Sequence, residues 1–148
     1  MGIIAACRPS ISDVPCSGCE ACSEACREDA IRLSANEAPP MVDGTRCVAC
    51  GQCLAACPTG TLREGAKGYR VQLGGKLGRH PRLALEMPGI FDAATVLDIV
   101  QAAIDLYKSR SRKGQRFGVI LQPSDLAQFA AQFGPRALCG PADLKLGT

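Results

Sequence analysis

The sequence predicts an α+β protein in two parts: a pseudo-twofold half organised by cysteines, then a small α/β half of strand–helix–strand order. Three observations carry this. Eight cysteines form two copies of C-x2-C-x2-C-x3-C, namely Cys16, Cys19, Cys22 and Cys26, then Cys47, Cys50, Cys53 and Cys57, at a constant offset of 31 residues. The repeat outruns the cysteines, since Ala25, Ile31 and Arg32 recur as Ala56, Leu62 and Arg63. Further on the pattern changes, to alternation at Tyr69, Val71 and Leu73 and to a helical stripe at Val96, Ile99, Val100, Ala103 and Tyr107. The expected boundaries are an N-terminal segment at 1–11, the repeat at 12–64, the α/β half-domain at 66–133 and an irregular tail at 134–148.

Each cysteine copy is expected to supply a short turn, a helical segment and a short strand. Glu64 to Gly68, with two glycines in five residues, reads as a linker. The strand at 69–73 runs into a glycine-rich loop, Gly74 to Arg82. Asp92 is placed as the N-cap of an amphipathic helix that ends near Arg110, with Asp98, Gln101, Asp105 and Lys108 opposite the apolar stripe. A second strand is expected at Phe117 to Gln122. Pro123-Ser124 then opens a last helix, with Leu126, Phe129, Ala130 and Phe133 on one face and Gly134-Pro135 as its stop.

The chain has 148 residues, no Trp and only six aromatic side chains, so cofactors are expected to supply part of its stability. Ten cysteines would suit a disulfide scaffold in a secreted protein, but Met1 to Ala6 does not read as a signal peptide. The cysteines are therefore expected to be reduced and metal-bound, in the cytoplasm. No apolar run approaches the ~18 residues of a membrane span. Charge is uneven: residues 1–62 carry four basic and seven acidic side chains, residues 63–116 eleven and five. The basic run Lys108, Arg110, Arg112, Lys113 and Arg116 has aromatics only at its ends, Tyr107 and Phe117, so it reads as a helix end or a docking face for an acidic redox partner, and no nucleic acid is expected.

Three thiolates spaced two residues apart wrap one iron–sulfur cluster, while the fourth lies too far along the emerging helix and serves the other. Cys16, Cys19, Cys22 and Cys57 are thus expected to bind one [4Fe–4S] cluster, and Cys47, Cys50, Cys53 and Cys26 a second. Zinc ribbons, the alternative for C-x2-C pairs, seldom use three evenly spaced cysteines with a fourth three residues on. Over residues 12–64 the pattern resembles the two-cluster bacterial-type ferredoxins. Arg27 stands where that family usually has Pro, whereas Pro58 keeps its pattern. Arg27 either raises the potential of the cluster beside Cys26 or pairs with Glu24 or Glu28 at the surface.

Gly68-Tyr69-Arg70-Val71-Gln72-Leu73-Gly74-Gly75-Lys76-Leu77-Gly78-Arg79-His80-Pro81 resembles the closing segment of the sirohaem domain of nitrite and sulfite reductases, and Lys113 to Gly118 continues the likeness. Anaerobic and dissimilatory sulfite reductases insert a two-cluster ferredoxin just before this segment. The resemblance implies that Lys76, Arg79 and Arg82 contact sirohaem carboxylates or an oxyanion. The cysteines that hold the sirohaem-coupled cluster in that family lie upstream of the insert, and only 15 residues precede Cys16 here. Sirohaem is therefore admitted only with a partner or a preceding half, and no catalytic residue is assigned. The expected role is relay of electrons through two clusters to a redox protein or reductase subunit; the alternative is the closing portion of an assembled sulfite or nitrite reductase. His80, Cys7 and Cys139 receive no role.

Overall fold

A computed structural model describes residues 1–33 and 39–134. The elements run β1 (Gly2–Ile11), α1 (Ala21–Glu24), β2 (Ile31–Arg32), β3 (Met41–Val42), α2 (Gln52–Ala56), β4 (Leu62–Leu73), β5 (Leu85–Glu86), α3 (Ala93–Arg110), α4 (Phe117–Ile120) and α5 (Pro123–Gln132). One sheet has the order β1-β4-β5 and the other pairs β2 with β3. The chain forms two compact units, one of Ala6–Lys67 and one of Met1–Ala5 with Gly68–Thr148, so β1 and β4 each supply residues to both.

In the unit Ala6–Lys67, β2 and β3 are antiparallel, with Ile31 opposite Val42 and Arg32 opposite Met41. The expected repeat is present in the backbone as well as in the cysteines. Gly18 and Ala49, Glu20 and Gly51, and Asp29 and Gly60 are pairs 31 residues apart, and all six have positive φ, between 46° and 76°. A left-handed residue costs about 1–2 kcal/mol when it is not glycine, so Ala49, Glu20 and Asp29 hold it because the loop requires it. Glu20 and Gly51 are the N-caps of α1 and α2, at which the chain turns from cysteine loop into helix.

In the other unit, Tyr69 and Phe91 exchange both backbone hydrogen bonds at 2.8 Å, and Gln72 and Leu73 pair with Glu86 and Leu85. Arg70 meets Glu86 through two hydrogen bonds of 2.5 and 2.6 Å. Asp92 caps α3 as expected, accepting from the Thr95 N–H at 2.7 Å, and the helix ends at Arg110. Its buried stripe of Val96, Ile99 and Ala103 packs with Val71, Leu73, Met87, Phe91, Leu121 and Phe129. Burying this face stabilises the helix more than its intrinsic propensity does.

Two expectations are corrected. Glu64 to Gly68 is the middle of the twelve-residue strand β4 and no linker. Its glycines mark close approach: a Cβ on Gly65 would lie 2.8 Å from the Arg8 carbonyl oxygen, and one on Gly68 would collide with that of Phe91. Phe117 to Gln122 is no second strand, since Phe117–Ile120 is a single helical turn and Gln122 the N-cap of α5. The apolar run is consistent with either at so short a length. What decides it is packing: Phe117 stands edge-on to Tyr107, centroids 6.4 Å apart, while Ile120 and Leu121 are buried. The strand–helix–strand layer is therefore replaced by β4, β5 and three helices. The last helix opens at Pro123 as expected; Pro135 and the tail lie outside the described residues.

Candidate metal centre

Local sequence sets each cysteine loop. The left-handed residues at 18 and 20, and at 49 and 51, flank the middle cysteine of each motif and reverse the chain around it, so that Cys19 and Cys50 are exposed while Cys22 and Cys53 are buried. Backbone bonds fix the second loop: the Cys7 N–H donates to the Ala49 carbonyl at 2.8 Å and the Cys47 N–H to that of Asp43 at 2.9 Å. The remote cysteines follow the helices, Cys26 with the Ala30 N–H on its sulfur at 3.3 Å and Cys57 with Thr59 Oγ1 at 3.5 Å.

Cys26 lies with Cys47, Cys50 and Cys53 in the wall of a cavity of about 190 Å³. One copy thus contributes a single thiol and the other three. Burial pushes the Cys53 thiol up to about 11, helped by the neighbouring charges of Cys47 and Cys50 and then of Cys26. Cys22 is likewise raised, by burial first and also by the charges of Cys57 and Cys16. At Cys57 burial opposes ionisation but is outweighed by the N–H groups of Leu62, Gly60 and Thr59 and the Thr59 hydroxyl, which bring it down to about 7. Among the described residues, no three His, Cys, Asp or Glu side chains converge on a position for a single ion. Thiols that ring a cavity offer the soft donor set of an iron–sulfur cluster.

Residues 15–61 match the family described as a 4Fe-4S dicluster domain. This segment is similar to dicluster domains of ferredoxin type. Over 49 residues it is 47% identical to an uncharacterised ferredoxin of Methanocaldococcus jannaschii, covering 32% of this chain and 31% of that one. It is 39% identical over 49 residues to one subunit of an ion-translocating oxidoreductase complex of Methanosarcina acetivorans, covering 33% and 18%. The matched part therefore spans about a third of the first relative's length and under a fifth of the second's. The family match ends at residue 61, so the sirohaem-type reading of 66–133 rests on the sequence resemblance alone.

The glycine-rich loop is a small hairpin in which Lys76 and Arg82 exchange backbone hydrogen bonds of 3.0 and 2.9 Å. Their side chains share one face of it. The Arg82 guanidinium donates to the Gly118 carbonyl, and that of Arg116 donates to the Leu77 carbonyl at 3.3 Å, so both anchor the hairpin. Arg79 and His80 are exposed at its tip. Cys7 lies on β1, where its backbone pairs in parallel with that of Cys50 while both thiols are free; Cys139 lies outside the described residues. Sequence reasoning passed over Thr59 and Thr61, which adjoin Cys57. The signal was available: at an offset of 31 their counterparts are Glu28 and Ala30, a break in the repeat beside a candidate ligand. No helix of the described residues is long and apolar enough to cross a membrane.

Proposed function

We propose that the protein is an electron carrier that holds one cluster through Cys16, Cys19, Cys22 and Cys57 and a second through Cys47, Cys50, Cys53 and Cys26. The observation that carries this is the cavity walled by Cys26 of the first motif and three cysteines of the second. When bound, the clusters supply reversible one-electron chemistry. The chain's part is to supply thiolates, keep two of them buried and shield the sites with apolar side chains such as Ile31, Val42, Leu54 and Leu62. The test is composition with ligand exchange: about eight iron and eight sulfide per chain are expected. Cys26→Ser should perturb the paramagnetic resonance of the cluster held by Cys47, Cys50 and Cys53, and Cys57→Ser that of the other. Loss of the sequence-adjacent cluster, or about two zinc without sulfide, would overturn the reading.

The electrons pass to a redox protein, in a reducing compartment such as the cytoplasm. One relative belongs to an oxidoreductase complex, and that likeness supports a larger redox partner. The Gly68 to Pro81 resemblance supports a narrower version, a sirohaem-type reductase contacted through Lys76, Arg79 and Arg82. Because Arg82 also serves Gly118, Lys76 and Arg79 are the residues to change. Lys76→Ala with Arg79→Ala removes two charge-assisted contacts of about 1.5–3 kcal/mol each, so sirohaem affinity should fall at least ~100-fold with iron content unchanged. Unchanged sirohaem affinity would reduce the hairpin to a structural turn.

A further inference from the structure

The repeat that relates the two cysteine motifs fails beside the remote ligands. Arg27 and Glu28 follow Cys26, whereas Pro58 and Thr59 follow Cys57. Thr59 Oγ1 lies 3.5 Å from Cys57 Sγ and 2.8 Å from Thr61 Oγ1. The Thr61 hydroxyl reaches the Pro15 carbonyl at 3.0 Å, and Thr61 is only 1% exposed. The result is a short hydroxyl chain that runs from a backbone carbonyl to a ligand sulfur.

Counting protons gives the chain a direction. As a cluster ligand the Cys57 sulfur carries no proton and only accepts. Two hydroxyl protons then serve three contacts, and the charged sulfur is the strongest acceptor, so Thr59 donates to it. Thr61 backs Thr59 from both its groups, with its hydroxyl 2.8 Å and its N–H 3.5 Å from Thr59 Oγ1, so that Thr59 has donors to accept from while its own proton is on the sulfur. A hydroxyl aimed at a ligand sulfur favours the state that places more negative charge there, which is the reduced one. At the equivalent position Glu28 carries no hydroxyl and adds a negative charge, and the Cys26 sulfur has a backbone donor, the Ala30 N–H at 3.3 Å, in place of one. Arg27 acts in the opposite sense, but both are exposed, where their charges offset each other and are screened by salt.

We infer that Thr59, backed by Thr61, makes the site completed by Cys57 the higher-potential one, so that the first electron rests there. This deepens the proposed function and rests on its cysteine assignment. Thr59 acts through Cys57 and is a positioning residue. The test uses the holo protein in a redox titration followed by electron paramagnetic resonance, with the contact-shifted cysteine protons in NMR reporting which cluster is reduced. In the unaltered protein the protons of Cys57 should respond to the first electron and those of Cys26 to the second. Thr59→Val should lower the potential of the Cys57 site alone, with iron and sulfide retained. Thr59→Ser should keep the original value, and Thr61→Val should shift it in the same direction by less. An unmoved potential in Thr59→Val, or a first electron on the Cys26 site, overturns the inference. If Thr59→Val does not keep its clusters, the order of reduction in the unaltered protein decides alone. A wrong cysteine assignment shows itself separately, as Cys57 protons that respond together with those of Cys47, Cys50 and Cys53.

Discussion

The two units of this protein solve the problem of a small core in different ways. In the unit Ala6–Lys67 the central cluster is Cys22, Ile31, Cys53 and Leu62, flanked by Cys26, Val42, Leu54 and Cys57, so half of its members are candidate ligands. In the other unit nine apolar side chains from β4, α3, α5 and the intervening segments pack together without any cysteine, and Leu73, Met87 and Ile99 are wholly buried. One core is half thiols; the other is made of apolar side chains alone. A core of two aliphatic residues and their neighbours does not offset the entropy of ordering some sixty residues, which lies on the order of 1–2 kcal/mol each. Metal binding then becomes folding free energy.

The largest expected effect breaks the pair apart. Chelation of iron should abolish amide protection across residues 6–67 while residues 68–134 retain theirs, read by hydrogen exchange. Protection kept in the first region would mean that its side chains suffice. Next, Ile99→Ala should cost the second region about 2–5 kcal/mol and leave iron content unaltered, because the site is fully buried and far from any candidate ligand in sequence. Thermal unfolding beside iron analysis would check this, and iron loss in that variant would erase the distinction.

Asp125 offers a smaller perturbation. It is 2% exposed and accepts from Arg110 and from the Gln122 N–H, both at 2.8 Å. Asp125→Ala should destabilise by about 1.5–3 kcal/mol, as judged from denaturant midpoints, since a charge-assisted pair and a helix cap go together. The smallest effect is one of pH. The hydrogen bonds of Arg70 hold the Glu86 carboxyl below its ordinary range. A depressed carboxylate contributes stability that is complete above its unfolded value, about 4.3, and is lost as pH falls through the lower folded value. Acid titration of urea midpoints for the second region should show that decline, and Glu86→Gln should flatten it.

Helix α3 was legible almost to the residue, because its cap and its stripe are local signals: Asp92 bonds Thr95 three residues on, and Val96, Ile99 and Ala103 recur at helical spacing. The two cysteine loops were legible for the same reason, since a cysteine spacing states which thiols a loop presents. Glycine misled at 65 and 68, where its lack of a side chain admits a neighbouring backbone and does not loosen the chain. The run from Phe117 misled because five residues do not distinguish strand from helix when Tyr107, ten residues earlier, supplies the packing partner.

By itself the sequence determined the two cysteine loops, the long capped helix and the thiol-rich pattern that is similar to dicluster domains, all of which depend on residues a few positions apart. The tertiary structure alone decided that β4 runs unbroken from Leu62 to Leu73, and that Thr59 and Thr61 reach from Pro15 to Cys57. Those contacts join residues up to 46 positions apart in the chain. Spacing along a chain restricts near neighbours strongly and distant ones hardly at all, so distant pairs are chosen by which surfaces are buried together.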